Sequence, residues 1–307
     1  MRFPRALVGL ALFSISLPAF GWNLDGHRII AGIAYARLKP NTRARVDALI
    51  RKHPDYETLL TKDAPADPTA RARYAFMNAA AWPDMIRGDA RFYDEMRADA
   101  APTPPIPGFP ESKKHPTWHY YDIPYSPDGT PGESTPPPNA LSELQRLIPE
   151  IGSTKDDALA AYDLPWIEHL VGDVHQPLHA TSRYLKSQPK GDAGGNFVWV
   201  VPGKPLHAYW DDAAGTELND QQRVQYGAIM TQQHSRPWRL SLRPNDWIDE
   251  SYALVKTVVY SFGPVTGSRE TPLTLPDGYA ERTQAIAKRR IALAGYRLAQ
   301  VLNNQLH

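Results

Sequence analysis

Apolar residues recur at helical spacing through most of the chain. Ile29, Ile30, Ile33, Ala34 and Leu38 fall on one face of a helix that opens after Gly21 and is stopped by Pro40, with His27 near its start. A second helix is predicted over 41–60, capped by Asn41 or Thr42, and a third over 70–97, broken at Pro83 so that Trp82, Asp84 and Arg87 lie at a bend. Shorter helical stretches over 140–148 and 155–161 lead to the segment 165–180, PWIEHLVGDVHQPLHA, where Leu170, Val171 and Val174 accompany polar donors and Pro177 interrupts or kinks the helix. Helical spacing returns over 206–218, 221–233, 245–260 and 278–306, the last carrying Ile286, Ile291, Leu293, Tyr296, Leu298 and Val301. Strand signals are sparse. A run at 197–201 after a glycine-rich turn suggests one hairpin arm, and the aromatic cluster 118–121 reads as a short extended segment or a loop. The proline-rich stretch 101–138 is loop or polyproline-like on both flanks of that cluster. No internal repeat or linker divides the pattern, which predicts a mainly α single domain with long loops and at most a short β-hairpin.

Composition narrows the chemistry. At 307 residues with 42% hydrophobic content, the chain can bury a sizeable core. A formal net charge of +1 provides no bulk basic field for a polyanion, so affinity for phosphates must come from local groups or bound cations. The absence of cysteine excludes disulfides, thiolate metal ligands, iron–sulfur centres and cysteine nucleophiles. Arg2 and Arg5 precede an apolar run over 6–20 that ends in Ala19-Phe20-Gly21, the form of a cleavable secretory leader. A membrane anchor fits less well, because the run is short for a span and polar sequence follows at once. The expected organisation is a leader at 1–21, a catalytic domain at 22–307, and a periplasmic or secreted product. The lack of an Asn-x-Ser/Thr sequon agrees with a non-glycosylated bacterial protein.

The candidate chemistry lies in histidine and aspartate. His169 and Asp173 are four apart, one helical turn, and so are His207 and Asp211. Each of the ten histidines alone would more often be a core or surface residue. Collectively, two His-x-x-x-Asp pairs, His179 ten residues after the first of them, and His119 among aromatics offer donors that suit zinc. His175 is also four before His179, but Pro177 disturbs that turn, so it reads as a supporting or surface residue outside the ligand set. His53, His115, His234 and His307 have no donor company and read as solvated. No HExxH, P-loop or serine nucleophile elbow is present.

Taken in order, Trp22-x-x-x-Gly26-His27, Trp82-Pro83-Asp84-x-x-Arg87, Trp118-His119, His169-x-x-x-Asp173-x-x-Gln176-Pro177-Leu178-His179, Gly194-Gly195-Asn196 and Leu206-His207-x-x-Trp210-Asp211 resemble the S1/P1 nuclease family along nearly all of the expected mature chain. Related zinc-dependent phospholipases C share the fold, with a glutamate as the last ligand, so Asp211 favours the nuclease branch. The resemblance implies three Zn²⁺: one held by Asp84, His119, His169 and Asp173, another by His179, His207 and Asp211, and a third by the Trp22 amine and carbonyl, His27 and Asp173. It implies that leader removal creates a ligand, since only a free, deprotonated amine coordinates.

By the same resemblance the chain would cut single-stranded DNA and RNA to 5′-nucleotides, with 3′-nucleotidase activity alongside. Asp84 would also accept a hydrogen bond from the attacking water and Arg87 would neutralise phosphoryl charge, although Arg87 has a plainer reading as an ion-pair partner of Asp84 or Asp89. Tyr120 occupies the place of a base-stacking aromatic and Asn196 that of a polar substrate contact, against plain roles in packing and in a turn. Unlike many eukaryotic members the chain has no disulfides or glycans, and 101–138 is an elaboration around His119. Two alternatives are a phospholipase C of the same fold and a non-catalytic periplasmic zinc-binding protein.

Overall fold

The computed structural model describes residues 22–306, so the leader expected at 1–21 and His307 lie outside the described residues. Helix α1 (Leu24–Tyr35) starts where the Asn23 side chain accepts a hydrogen bond from the Gly26 amide. Helix α2 (Pro40–Ile50) begins on a proline, whose fixed φ suits a first turn. It ends well before the expected residue 60, because Pro54 disfavours helical geometry at His53, and a separate π-helical turn covers Tyr56–Leu60. Helix α3 (Pro68–Ala79), capped by Asp67, is followed by α4 (Trp82–Met85) and a 3₁₀ turn, Ile86–Gly88. The helix expected to reach 97 stops there: Asp89 is extended, and its carboxylate accepts from the Arg91 amide and guanidinium.

A mutual cap between Asn139 and Ser142 opens α5 (Ala140–Ser153). The two segments expected around 155–161 and 165–180 begin as one helix, α6 (Asp157–Asp173), which runs through Pro165. Every residue of α6 from Ala160 onward is buried, so this helix is wrapped on all sides. Helix α7 (Leu206–Asp211) is shorter than expected and passes through a 3₁₀ turn to Gly215, whose φ of 112° ends it. Helices α8 (Asp220–Gln233), α9 (Pro244–Leu254) and α10 (Tyr279–Gln305) complete the set, with a π-helical turn, Val255–Val259, after α9. Around α6 pack α1, α2, α5 and α10, and α10 also covers α1 and α8. The fold is mainly α-helical. No helix among the described residues is long and apolar enough to cross a membrane.

Two small sheets position the loops. Strand β1 (Ile123–Tyr125) pairs in parallel with β2 (Thr181–Arg183), Ile123 opposite Thr181, and so fastens the aromatic segment beside the chain that follows α6. The expected hairpin is β3 (Trp199–Val200) with β4 (Lys204–Pro205). The proline-rich stretch is anchored through Phe109, which stacks on Trp82 at 5.7 Å between ring centroids.

Two histidines differ from expectation, and a third takes the first of its two expected roles. His53 is buried, accepts from the Asp55 amide and meets Trp82 edge-on, and His115 is buried between Glu111 (3.0 Å) and Glu95 (3.1 Å) while stacked on Trp118. Neither is solvated. His175 is wholly buried, donating to the Val171 carbonyl and accepting from Arg297 at 2.8 Å, which makes it part of a bracing network that includes Glu250.

Candidate metal centre

Helix α6 supplies the middle of the site. One helical turn brings His169 Nε2 within 3.1 Å of Asp173 Oδ2. The 3₁₀ turn Pro116–His119 aims His119 Nδ1 at the same point, 2.9 Å from His169 Nε2 and 3.2 Å from Asp173 Oδ2. Asp84, from α4, stands 3.8 Å from both imidazoles. The other oxygen of Asp173 faces elsewhere: Oδ1 is 3.3 Å from His27 Nε2, and the His27 ring stacks on His169 at 3.9 Å. That approach depends on Gly172, because a Cβ there would lie 2.7 Å from His27 Nδ1. On the far side, His179 Nε2 and His207 Nε2 face each other at 3.0 Å, and Asp211 Oδ2 is 3.7 Å from His207. Three clusters result, His27 with His169 and Asp173, Asp84 with His119 and His169, and His179 with His207 and Asp211, each with its donor atoms within 4.8 Å of one another.

The ring orientations are fixed from behind. His169 Nδ1 donates to the Ala80 carbonyl, His207 Nδ1 to that of Gly194, and His179 Nδ1 to that of His119. A carbonyl only accepts, so each of these nitrogens carries the hydrogen and the opposite Nε2 offers a lone pair to the centre. Gly194 is needed for this: at φ 60° its carbonyl reaches His207, and a Cβ would meet the Leu178 carbonyl at 2.6 Å. Gln176 donates to Asp211 Oδ1 at 2.8 Å, which leaves Oδ2 turned toward His207.

The donor set suits cations. None of the eight side chains is more than 5% exposed, yet both oxygens of Asp84 and of Asp173 and both nitrogens of His27 lack a hydrogen-bond partner among the described residues. Buried carboxylates without hydrogen bonds are costly, and divalent ions bound by nitrogen and oxygen would compensate them. Titration is divided accordingly. Burial pushes His27 down and, with Arg87 adding to it, pushes His119 down to about 3, which favours the unprotonated rings that ligate. Burial opposes charge on Asp84 and Asp173 as well, but neighbouring imidazoles, His169 first, hold both below the usual carboxylate range. His169 would likewise fall through burial, but Asp173 and Asp84 raise it. Burial lifts Asp211 well above the usual carboxylate range.

The S1/P1 nuclease family model matches residues 22–307. The chain belongs to the S1/P1 nuclease family. Among curated relatives of this family member is Endonuclease 4 of Arabidopsis thaliana, 29% identical over 175 residues that cover 49% of this chain and 54% of the relative. The chain thus spans about half the length of the curated relative it matches.

Trp22 is completely buried, and the Asn23 amide donates to the Asp211 carbonyl at 3.3 Å, which sets the Trp22–Asn23 peptide beside the main chain of Asp211. Arg87 Nη1 lies 3.4 Å from Asp84 Oδ1, so the ion pair and the edge of the site coincide. Tyr120 is half-buried and extended; burial, then Asp122, pushes its phenol up to about 12, against the opposing effect of Arg87. Asn196 spends its side-chain amide on the Ala193 carbonyl at 2.8 Å, as a turn residue does, one residue from the Gly195 carbonyl that the His207 amide reaches. Sequence reasoning assigned no role to Gly172, to Gln176 or to the Ala80 carbonyl. Gly172, directly before Asp173 inside a helix, was the available signal; the carbonyl left no trace in sequence.

Proposed function

We propose that this family member is an exported phosphodiesterase, processed before Trp22, that binds three Zn²⁺ and hydrolyses single-stranded DNA and RNA to 5′-nucleotides, with 3′-nucleotidase activity. The observation that carries the reading is Asp173, whose two oxygens face two different groups of imidazoles at 3.1–3.3 Å, the arrangement of a carboxylate shared between ions. Asp84, His119, His169 and Asp173 would hold one ion, His179, His207 and Asp211 another, and His27, Asp173 and the Trp22 amine and carbonyl the third. When bound, the ions would supply Lewis acidity toward phosphoryl oxygens and water activated near neutral pH. Three Zn²⁺ against three aspartates leave a local charge of about +3, which supplies the attraction that a chain of net charge +1 lacks.

The protein's own groups then orient the substrate. Arg87, mostly buried beside Asp84, presents guanidinium donors to a phosphoryl oxygen, and the Asp84 carboxylate accepts the proton side of the attacking water. Tyr120, half-buried after His119, offers a ring face to an unpaired base, a contact worth about 1–3 kcal/mol per base. Asn196 provides a polar edge near His207. The test is a side-by-side assay on denatured DNA, RNA, a 3′-mononucleotide and phosphatidylcholine, before and after chelation. Chelator-sensitive release of 5′-nucleotides supports the reading; turnover of the lipid alone, or retained zinc with no turnover of any substrate, refutes it.

A further inference from the structure

At the C-terminal end of α1, away from His27, a cleft of about 400 Å³ opens between α1, α2, α3 and α8. Each of the four contributes an arginine to its lining: Arg37 just past α1, Arg43 from α2, Arg73 from α3 and Arg223 from α8. Ile33 and Val224 add apolar lining. Two of the arginines are partly neutralised, Arg73 by Asp220 at 3.1 Å and Arg223 by Asp25 at 2.7 Å. The other two have no carboxylate within ion-pairing distance among the described residues. Arg37 donates to the Ile33 carbonyl and lies over the Tyr296 ring, and Arg43 donates to the Tyr35 carbonyl and lies over the Tyr35 ring. Asp47, a further acid on this side, accepts from the Tyr35 hydroxyl and lies in the field of both Arg51 and Arg43, so it offsets part of the Arg43 charge without pairing with it. The Nε atoms of Arg43 and Arg73 are buried without a hydrogen-bond partner.

Positive charge left over after internal pairing, planar donor forks and unspent buried N–H groups suit a phosphoryl group. The volume exceeds what orthophosphate alone requires and falls in the range of small-molecule sites, and the apolar lining suits an attached organic residue. We infer that this cleft is a second phosphate site, separate from the metal centre, for a nucleoside monophosphate or one nucleotide unit of a single strand. The assignment stands on the arginines and does not require hydrolysis at the metal centre.

Calorimetric titration of the zinc-loaded protein with thymidine 5′-monophosphate tests it. The wild type is expected to show two binding events and Arg37→Gln/Arg43→Gln only one, with zinc content unchanged; an unchanged isotherm overturns the site. Should the double variant melt early, Arg37→Gln alone is expected to weaken one event by about tenfold, and no weakening overturns the site equally. The source of the phosphate is read from KM. A several-fold rise on a 20-residue oligothymidylate with no change on a dinucleotide identifies a strand as occupant, whereas lost mononucleotide binding with both KM values unchanged identifies a free nucleotide. If the protein cut no nucleic acid at all, the isotherms would still decide the cleft.

Discussion

At the scale of single residues, Asp173 connects the most chemistry. Both its oxygens are buried and aimed at different imidazoles, Oδ1 at His27 and Oδ2 at His119 and His169, so removing them takes a neighbour from donors of two of the three clusters. Asp173→Ala is expected to lose at least two zinc ions per chain, with activity on denatured DNA reduced by about 100-fold or more; near-normal zinc content by elemental analysis would refute the sharing. A second residue-scale prediction concerns pH. Burial alone would lower His115, but the hydrogen bonds it donates to Glu111 and Glu95 outweigh it and hold the imidazole above its ordinary value, while His115 pulls Glu111 down to about 2. A raised His pKa gives stability that is full below about pH 6.5 and fades as pH rises through the folded value. A lowered Glu pKa gives stability that is full above about pH 4.3 and fades as pH falls toward the folded value. His115→Gln should therefore be most destabilised relative to wild type between about pH 4.5 and 6.5, with the melting temperature lowered by roughly 2–4 °C per kcal/mol lost. A difference that grows above pH 8 would contradict the assignment. The ligand-type histidines were legible because donor type and spacing are local properties. The burial of His53 and His115 was not legible, because their surroundings come from afar: Phe109 meets the His53 ring and Trp166 the His115 ring.

Among elements, the contact between α1 and α6 sets the site. His27 is carried by α1 and Asp173 by α6, and the two meet only because Gly172 leaves room for the imidazole ring. Gly172→Ala would place a methyl group 2.7 Å from His27 Nδ1 in a fully buried position, where the ring must move. The expected outcome is selective loss of the zinc assigned to His27 and Trp22, with circular dichroism showing an intact helical fold; full zinc occupancy would show that the ring tolerates the intrusion. Helix identity was legible from periodicity, but helix ends were less so. Pro54 ended α2 as a proline should, whereas Pro165 did not end α6, because burial on every side and continuous packing outweigh one missing N–H. The parallel pairing of β1 with β2 had no local signature, since the partners are 58 residues apart and only three residues long.

For the whole molecule, the centre draws donors from residues between His27 and Asp211, gathered by helices that pack around α6. Their convergence could be expected from the family's ordered motifs. The arginine cleft could not, because its four residues sit in unrelated sequence contexts and meet only through the packing of α1, α2, α3 and α8. If the terminal amine is a ligand, a chain beginning one residue before Trp22 should bind two zinc ions rather than three, and an unchanged count would remove the amine from the ligand set. We propose that hydrolysis depends on a complete three-ion cluster. It is tested most directly by titrating zinc into the metal-free chain that starts at Trp22 while following nucleotide release from denatured DNA. Little hydrolysis is expected until the third equivalent binds, with a plateau thereafter; full activity with one equivalent or none, or no activity with all three bound, would refute this dependence.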